Sequence, residues 1–411
     1  MRVSGSFLAR GLAFLLLSLV AACDSQVGTD PQCQLPPPDE EVGGWRTLPY
    51  PAGAPFSWGA SDGTNFLLVS GLKCATCEVQ VLSEGADTWT SIAAEEVVSS
   101  NDVLRQTASE RYIVSVEVFS SDTEGRRTYP WQVAVFDRQN SAWTYTDFPS
   151  ESAPRGDTSI AIAEGKVVIW GGFAPTFPNL PGVLPGTPLF GGYVFDPETQ
   201  AFEEIPPAWE EGASTESVRG QSASVSTPDG LFAWGISPDQ RVTRGGLYSY
   251  DSKSWSFSSE SGAPPRRRHF QMSYHEGFVY LWGGHLPEAD GMDVLGNPVG
   301  AAGQSDFSDH YRDLWRLSLK TLAWEALPVP PHADLQGAKG AWSGHMLVFL
   351  GYRCGPPDLL NTDTMQWEQG GFDDRPLDTG WLFSASNKII ANQVHPSFGL
   401  VAESIWVFEM P

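Results

Sequence analysis

Positive charge is scarce in this chain. Its 411 residues include 25 lysines and arginines against 49 aspartates and glutamates, which gives a net charge of −24. Proteins that hold nucleic acid or anionic lipid through charge carry the opposite excess. The composition therefore argues against a nucleic-acid partner and against electrostatic docking on a membrane.

Long apolar runs are also lacking, apart from one near the N-terminus. Residues 12–20 form an apolar stretch that follows Arg2 and Arg10. This stretch is too short for an ordinary transmembrane helix and is typical of an export signal. We therefore expect residues 1–22 to be a signal peptide, and we predict no membrane-spanning helix.

The segment LVAAC that ends at Cys23 resembles the bacterial lipobox. The resemblance implies cleavage before Cys23, acylation of its thiol and a lipoprotein of the bacterial cell envelope; an ordinary signal peptide is the alternative. Residues 23–44, rich in proline, glycine and acid, are predicted to be an extended tether. We expect an outer-membrane or cell-surface location, although Asp24 resembles the inner-membrane retention signal of some bacteria.

Cysteine is rare as well. Besides Cys23 the chain has Cys33, Cys74, Cys77 and Cys354, an even number that suggests two disulfides in an exported protein, with three possible pairings. Cys74 and Cys77 form a C-x-x-C in a predicted loop. A redox motif needs a helix N-terminus, and a zinc site needs a second ligand pair. A loop disulfide is therefore favoured there, which would leave Cys33 to pair with Cys354.

The motifs of the commoner enzyme classes are missing. The seven histidines are scattered, with no His-x-His, no His-Glu-x-x-His and no glycine-rich phosphate loop. We therefore predict no metal, no cofactor and no catalytic residue. A Ser-His-Asp triad stays open, because such triads are assembled in space rather than in sequence.

What the chain does have is a repeat. An apolar run, often followed by glycine, recurs at residues 66–69, 112–116, 167–170, 231–234, 279–282, 346–350 and 388–391. A second strand, a polar turn and a lone aromatic residue follow most copies. These aromatic residues are Trp89, Trp143, Phe202, Trp255, Trp324 and Trp367. Repetition at tens of residues indicates a repeat architecture.

This order of elements resembles the kelch repeat, as in the central domain of galactose oxidase. That family has about fifty residues and four strands per repeat. The resemblance implies an all-β chain whose residues 45–411 form a seven-bladed β-propeller of four-stranded kelch-type blades. Six repeats are whole. We expect residues 45–49 to supply the outer strand that the last blade lacks and so to close the ring.

Four arginines precede predicted inner strands: Arg105, Arg155, Arg219 and Arg266. His269 follows Arg266 as in the Arg-x-x-His opening of kelch repeats. The resemblance places these side chains near the central channel, on the face of the loops between second and third strands. Guanidinium groups there suit carboxylate or phosphate ligands, and ion pairs between blades are the alternative.

Two predicted loops on that face are long. Residues 173–190 are apolar, with Phe173 and Phe177 among them, and either form an interaction site or fold over the blade. Residues 285–310 carry four aspartates, which are either calcium ligands or solvated carboxylates.

We therefore expect a monomeric binding module for a protein or glycan partner, attached to the membrane by its N-terminal lipid. The alternative is a metal-independent carbohydrate-active enzyme, of the isomerase or mutarotase kind, that uses the channel mouth. Some kelch propellers act on sialic acid in this way.

Overall fold

A computed structural model describes the chain in segments. These are residues 45–48, 51, 57–70, 78–93, 102–118, 121–123, 126–128, 131–149, 158–163, 165–172, 191–208, 223–236, 243–265, 267, 270–284, 311–330, 339–350, 358–369, 379–385, 388–394 and 402–409. In this part of the chain no helix is long and apolar enough to cross a bilayer.

The described residues form 30 strands, numbered here in chain order. The first strand, β1, is Trp45–Leu48, and the first sheet holds β2 (Ser57–Ser61), β3 (Phe66–Ser70), β4 (Glu78–Leu82) and β5 (Thr90–Ala93). The second sheet holds β6 (Asp102–Ala108), β7 (Tyr112–Val118), β10 (Trp131–Asp137) and β11 (Ala142–Asp147), with a separate hairpin of β8 (Ser121–Thr123) and β9 (Arg126–Thr128).

The next four sheets each use four consecutive strands. The third holds β12 (Ser159–Ala163), β13 (Lys166–Trp170), β14 (Gly192–Asp196) and β15 (Ala201–Ile205). The fourth holds β16 (Ala223–Thr227), β17 (Gly230–Ile236), β18 (Thr243–Ser249) and β19 (Ser254–Phe257). The fifth holds β20 (Gln271–His275), β21 (Phe278–Trp282), β22 (Leu314–Ser318) and β23 (Ala323–Leu327). The sixth holds β24 (Lys339–Ser343), β25 (Met346–Leu350), β26 (Asp358–Asn361) and β27 (Gln366–Gln369).

The seventh sheet joins the two ends of the described chain. It contains β28 (Thr379–Ala385), β29 (Lys388–Val394) and β30 (Ala402–Glu409), and β1 pairs antiparallel with β30 at its outer edge. Leu48 lies opposite Ile405 in this pairing. The N-terminal strand is therefore the outer strand of the sheet that contains the C-terminal strands.

The fold is a β-propeller with four-stranded blades, so this part of the prediction is confirmed. Neighbouring sheets pack face to face, which explains why their second strands are continuous apolar runs. In β13, Val167 and Ile169 face the second sheet, whereas Val168 and Trp170 face the fourth. Successive side chains of a strand point to opposite faces, and here both faces are buried.

The glycine doublets after β13 and β21 have a conformational cause. Gly171 and Gly172 have φ values of 68° and 87°, and Gly283 and Gly284 have 64° and 85°. Two successive residues in the left-handed region favour glycine strongly. These φ values are the reason that the structure shows for the two doublets.

The polar turns between third and fourth strands share one backbone form. In five of the six described turns of this kind, a non-glycine residue two positions before the lone aromatic has a positive φ: Ser141, Gln200, Lys253, Leu322 and Met365. In four of these turns the residue that ends the third strand caps the turn, as Asp196 Oδ1 does by accepting hydrogen bonds from the backbone N–H groups of Glu198 and Thr199. In the fourth sheet β18 ends at Ser249, whose hydroxyl accepts a hydrogen bond from Ser252 N–H.

Three of the lone tryptophans bond their sheet to the one before it. The Trp255 indole donates a hydrogen bond to Pro206 O (3.0 Å), and Trp367 donates to Pro328 O (3.0 Å). Trp324 donates to Ser258 Oγ at 3.3 Å. Each acceptor lies just beyond the outer strand of the preceding sheet, so these aromatics are structural members of the repeat.

Candidate functional site

Most of the residues that we selected from the sequence lie outside the described residues. This applies to Cys23, Cys33, Cys74, Cys77, Cys354, Arg155, Arg219, Arg266, His269, Phe173 and Phe177. Arg105 lies in β6, where its backbone pairs with Val116, but its side chain is not described. Their predicted roles therefore remain predictions.

The described residues do define where the two long loops begin and end. The first leaves the third sheet after β13 and returns at β14, and Gly171 N–H donates a hydrogen bond to Gly191 O at 3.0 Å across its base. Thr158, only 1 % exposed, donates from its hydroxyl to Trp170 O at 2.9 Å beside this base. We call the contact between Gly171 and Gly191 the first neck.

The second loop has a similar base in the fifth sheet. Tyr311 N–H donates to Gly284 O at 2.8 Å, and Gly283 N–H donates to Asp313 O at 3.4 Å. We call these two contacts the second neck. Both necks connect a second strand to a third strand, so both loops leave the same face of the propeller, here called the loop face.

A buried arginine supports the second neck. The side chain of Arg267 has no exposed area, and its Nη1 and Nη2 donate to the two carboxylate oxygens of Asp313 at 2.6 and 2.8 Å. Nη1 also donates to Gly283 O, and Nε donates to Pro265 O. The guanidinium carbon lies 4.3 Å from the centre of the Tyr311 ring.

This cluster positions the neck rather than binding a ligand. Four of the five N–H groups of Arg267 already have protein acceptors, and Asp313 also accepts the Trp315 indole N–H at 2.7 Å. Repeat spacing selected Arg266, one position away, as the candidate arginine. Nothing in the triple arginine at 266–268 indicates which of the three is buried.

The opposite face, here called the hairpin face, carries ion pairs between blades. Arg138 of the second sheet pairs with Asp62 of the first, and Arg111 pairs with Asp137 and with Glu198 of the third sheet. Burial alone would raise the pKa of Asp62. Hydrogen bonds from Asn65, Thr64 and Arg138 outweigh that effect and hold its pKa below the usual value. On the first three sheets, therefore, short turns of this face are held to their neighbours by ion pairs.

Within the segments listed above, no three His, Cys, Asp or Glu side chains are grouped so that they could hold a metal ion. Neither the family models nor the curated proteins with which the chain was compared match it.

Proposed function

We propose that the chain is a seven-bladed, kelch-type propeller closed by its N-terminal strand. Seven apolar clusters support this proposal, since each draws on two consecutive sheets. One of them joins Leu48 and Ile405 of the seventh sheet to Phe66 and Leu68 of the first. Two further features are consistent with kelch repeats: the glycine doublets, and the hydrogen bonds that tryptophans make between sheets.

The function that we propose for this propeller is binding of a protein or glycan at the loop face, with a lipid on Cys23 as the membrane anchor. The observation that carries the proposal is the pair of hydrogen-bonded necks. A rigid body that holds the ends of two long loops on one face, and short locked turns on the other, suits presentation of a binding surface. Loops fixed at both ends lose less conformational entropy when they bind.

A glycan array and a pull-down from native envelope test this proposal with the full chain. Residues 173–190 and 285–310 are replaced one at a time by glycine-serine linkers, and Arg155 and Arg219 are changed to alanine. We expect binding to fall strongly in at least one loop variant. Lys320→Ala, in an exposed turn of the hairpin face, is the matched control and should bind like the wild type. Unchanged binding in all loop-face variants would remove the loop face from the proposal.

A further inference from the structure

The junction between the fifth and sixth sheets differs from the other junctions. Neighbouring inner strands approach closely around the propeller, but β20 and β24 lie farther apart. Large rings fill this space. At one end the Trp282 ring lies where a side chain on Gly340 would be, since a Cβ there would be 2.5 Å from the ring.

At the hairpin face the junction is filled by a stacked pair. The imidazole of His275, at the end of β20, lies 4.0 Å from the Trp342 ring of β24, with 12° between the two planes. The Trp342 indole donates to Ser273 Oγ at 2.8 Å, and Tyr280 meets the same ring edge-on at 4.9 Å. Three side chains of the fifth sheet therefore hold one tryptophan of the sixth.

His275 is in a poor position to carry a charge. Its side chain is 19 % exposed, and its Nε2 is buried without a hydrogen-bond partner among the described residues. The Glu276 carboxylate, mostly exposed, lies 3.8 Å from Nε2, beyond hydrogen-bond distance. The other charged or titratable groups that act on His275 are Asp363 and His345, on two turns of the sixth sheet.

We propose that the contact between His275 and Trp342 is an acid-sensitive joint, which holds the fifth and sixth sheets together when His275 is neutral and loosens when it is protonated. An imidazolium needs an acceptor for each N–H, and the stacked position offers Nε2 none. The protonated ring gains an acceptor by turning out towards water and Glu276, and this movement removes it from Trp342.

The direction of the pH dependence follows from burial. Loss of solvent, the largest effect, lowers the pKa of His275 below its ordinary value of 6.5, and His345 lowers it further, while Glu276 and Asp363 oppose this shift. The unfolded chain therefore binds a proton at His275 more readily than the folded chain does. The stability from the neutral contact is complete above pH 6.5 and is lost as the pH falls below that value towards the folded pKa.

The test compares thermal unfolding and hydrogen exchange of the full chain between about pH 7.5 and pH 5. In the wild type we expect the melting temperature to fall on acidification. Amide exchange in β20 and β24, corrected for the intrinsic pH effect, should rise several-fold relative to the third sheet. His275→Phe keeps a flat ring against Trp342 and cannot titrate, so its acid-induced changes should be much smaller.

His345→Gln is the matched control, because it removes the neighbouring histidine and leaves the stacked pair intact. It should keep an acid response, moved towards higher pH because His345 no longer lowers the pKa of His275. The proposal is overturned if His275→Phe retains the full response, or if the imidazole signal of His275 in wild-type NMR spectra titrates at or above 6.5. The wild-type exchange and NMR measurements decide the matter even if His275→Phe folds poorly.

Discussion

At the scale of single residues, Arg267 shows how a charged side chain becomes part of the scaffold. It lies under the second neck and makes four hydrogen bonds, two of them to Asp313. Removing one partner of such a pair leaves the other charge buried without compensation. The neck, and through it the direction in which residues 285–310 leave the fifth sheet, depends on this side chain.

We predict that Arg267→Met lowers the free energy of unfolding by about 3 kcal/mol, the lower end of the range for broken buried pairs, because Asp313 is partly exposed. Urea unfolding measures the change. Arg312→Met, at an exposed neighbouring position, should stay within about 0.5 kcal/mol of the wild type. The double variant Arg267→Met, Asp313→Asn should recover part of the loss; a simple sum of the two single effects would contradict the pairing.

At the scale of elements, the turn between third and fourth strands is the most regular unit of the repeat. Five such turns place a non-glycine residue at positive φ, with Ser141 at 51°. A left-handed backbone costs an L-residue with a Cβ about 1–2 kcal/mol, whereas glycine adopts it freely. These turns are therefore locally strained, and capping side chains such as Asp137 offset part of that strain.

Replacing Ser141 by glycine should raise the free energy of unfolding by about 1 kcal/mol, because it relieves the left-handed strain. Gln139→Gly, at an exposed position of the same turn where φ is not positive, should lower it by about 0.5 kcal/mol through chain entropy. Chemical denaturation of both variants gives the comparison. An equal decrease in the free energy of unfolding of both variants would show that the backbone at Ser141 is not strained.

At the scale of the whole molecule, β1 covers the outer edge of β30. An uncovered edge strand offers unpaired N–H and C=O groups to other chains. Deleting residues 1–48 should therefore lower the melting temperature and produce dimers or larger species in light scattering. Deleting residues 1–44 spares the strand and should leave a stable monomer. A stable monomer from both deletions would show that the pairing of β1 with β30 is dispensable.

More of the fold than of the candidate site could be predicted from the sequence, and the reason is physical. Apolar runs such as 279–282 are dictated by burial on both faces, and each lies in a second strand of the structure. The capping residue of a polar turn is harder to predict, because serine can replace aspartate there, as Ser249 does in the fourth sheet. Arg267 could not be selected over Arg266, since burial of one arginine among three depends on where Asp313 lies, 46 residues away. The contact between His275 and Trp342, 67 positions apart, left no sequence signal for the same reason.

The two necks have a consequence for how this chain can vary. Residues 171 and 191, and residues 284 and 311, are joined by hydrogen bonds, so the chain between each pair starts and finishes at almost the same point. The entropy of closing such a segment grows by only about 0.6 kcal/mol for each doubling of its length. Each segment can therefore be lengthened, shortened or exchanged, in evolution or by mutagenesis, while the strands on either side keep their register.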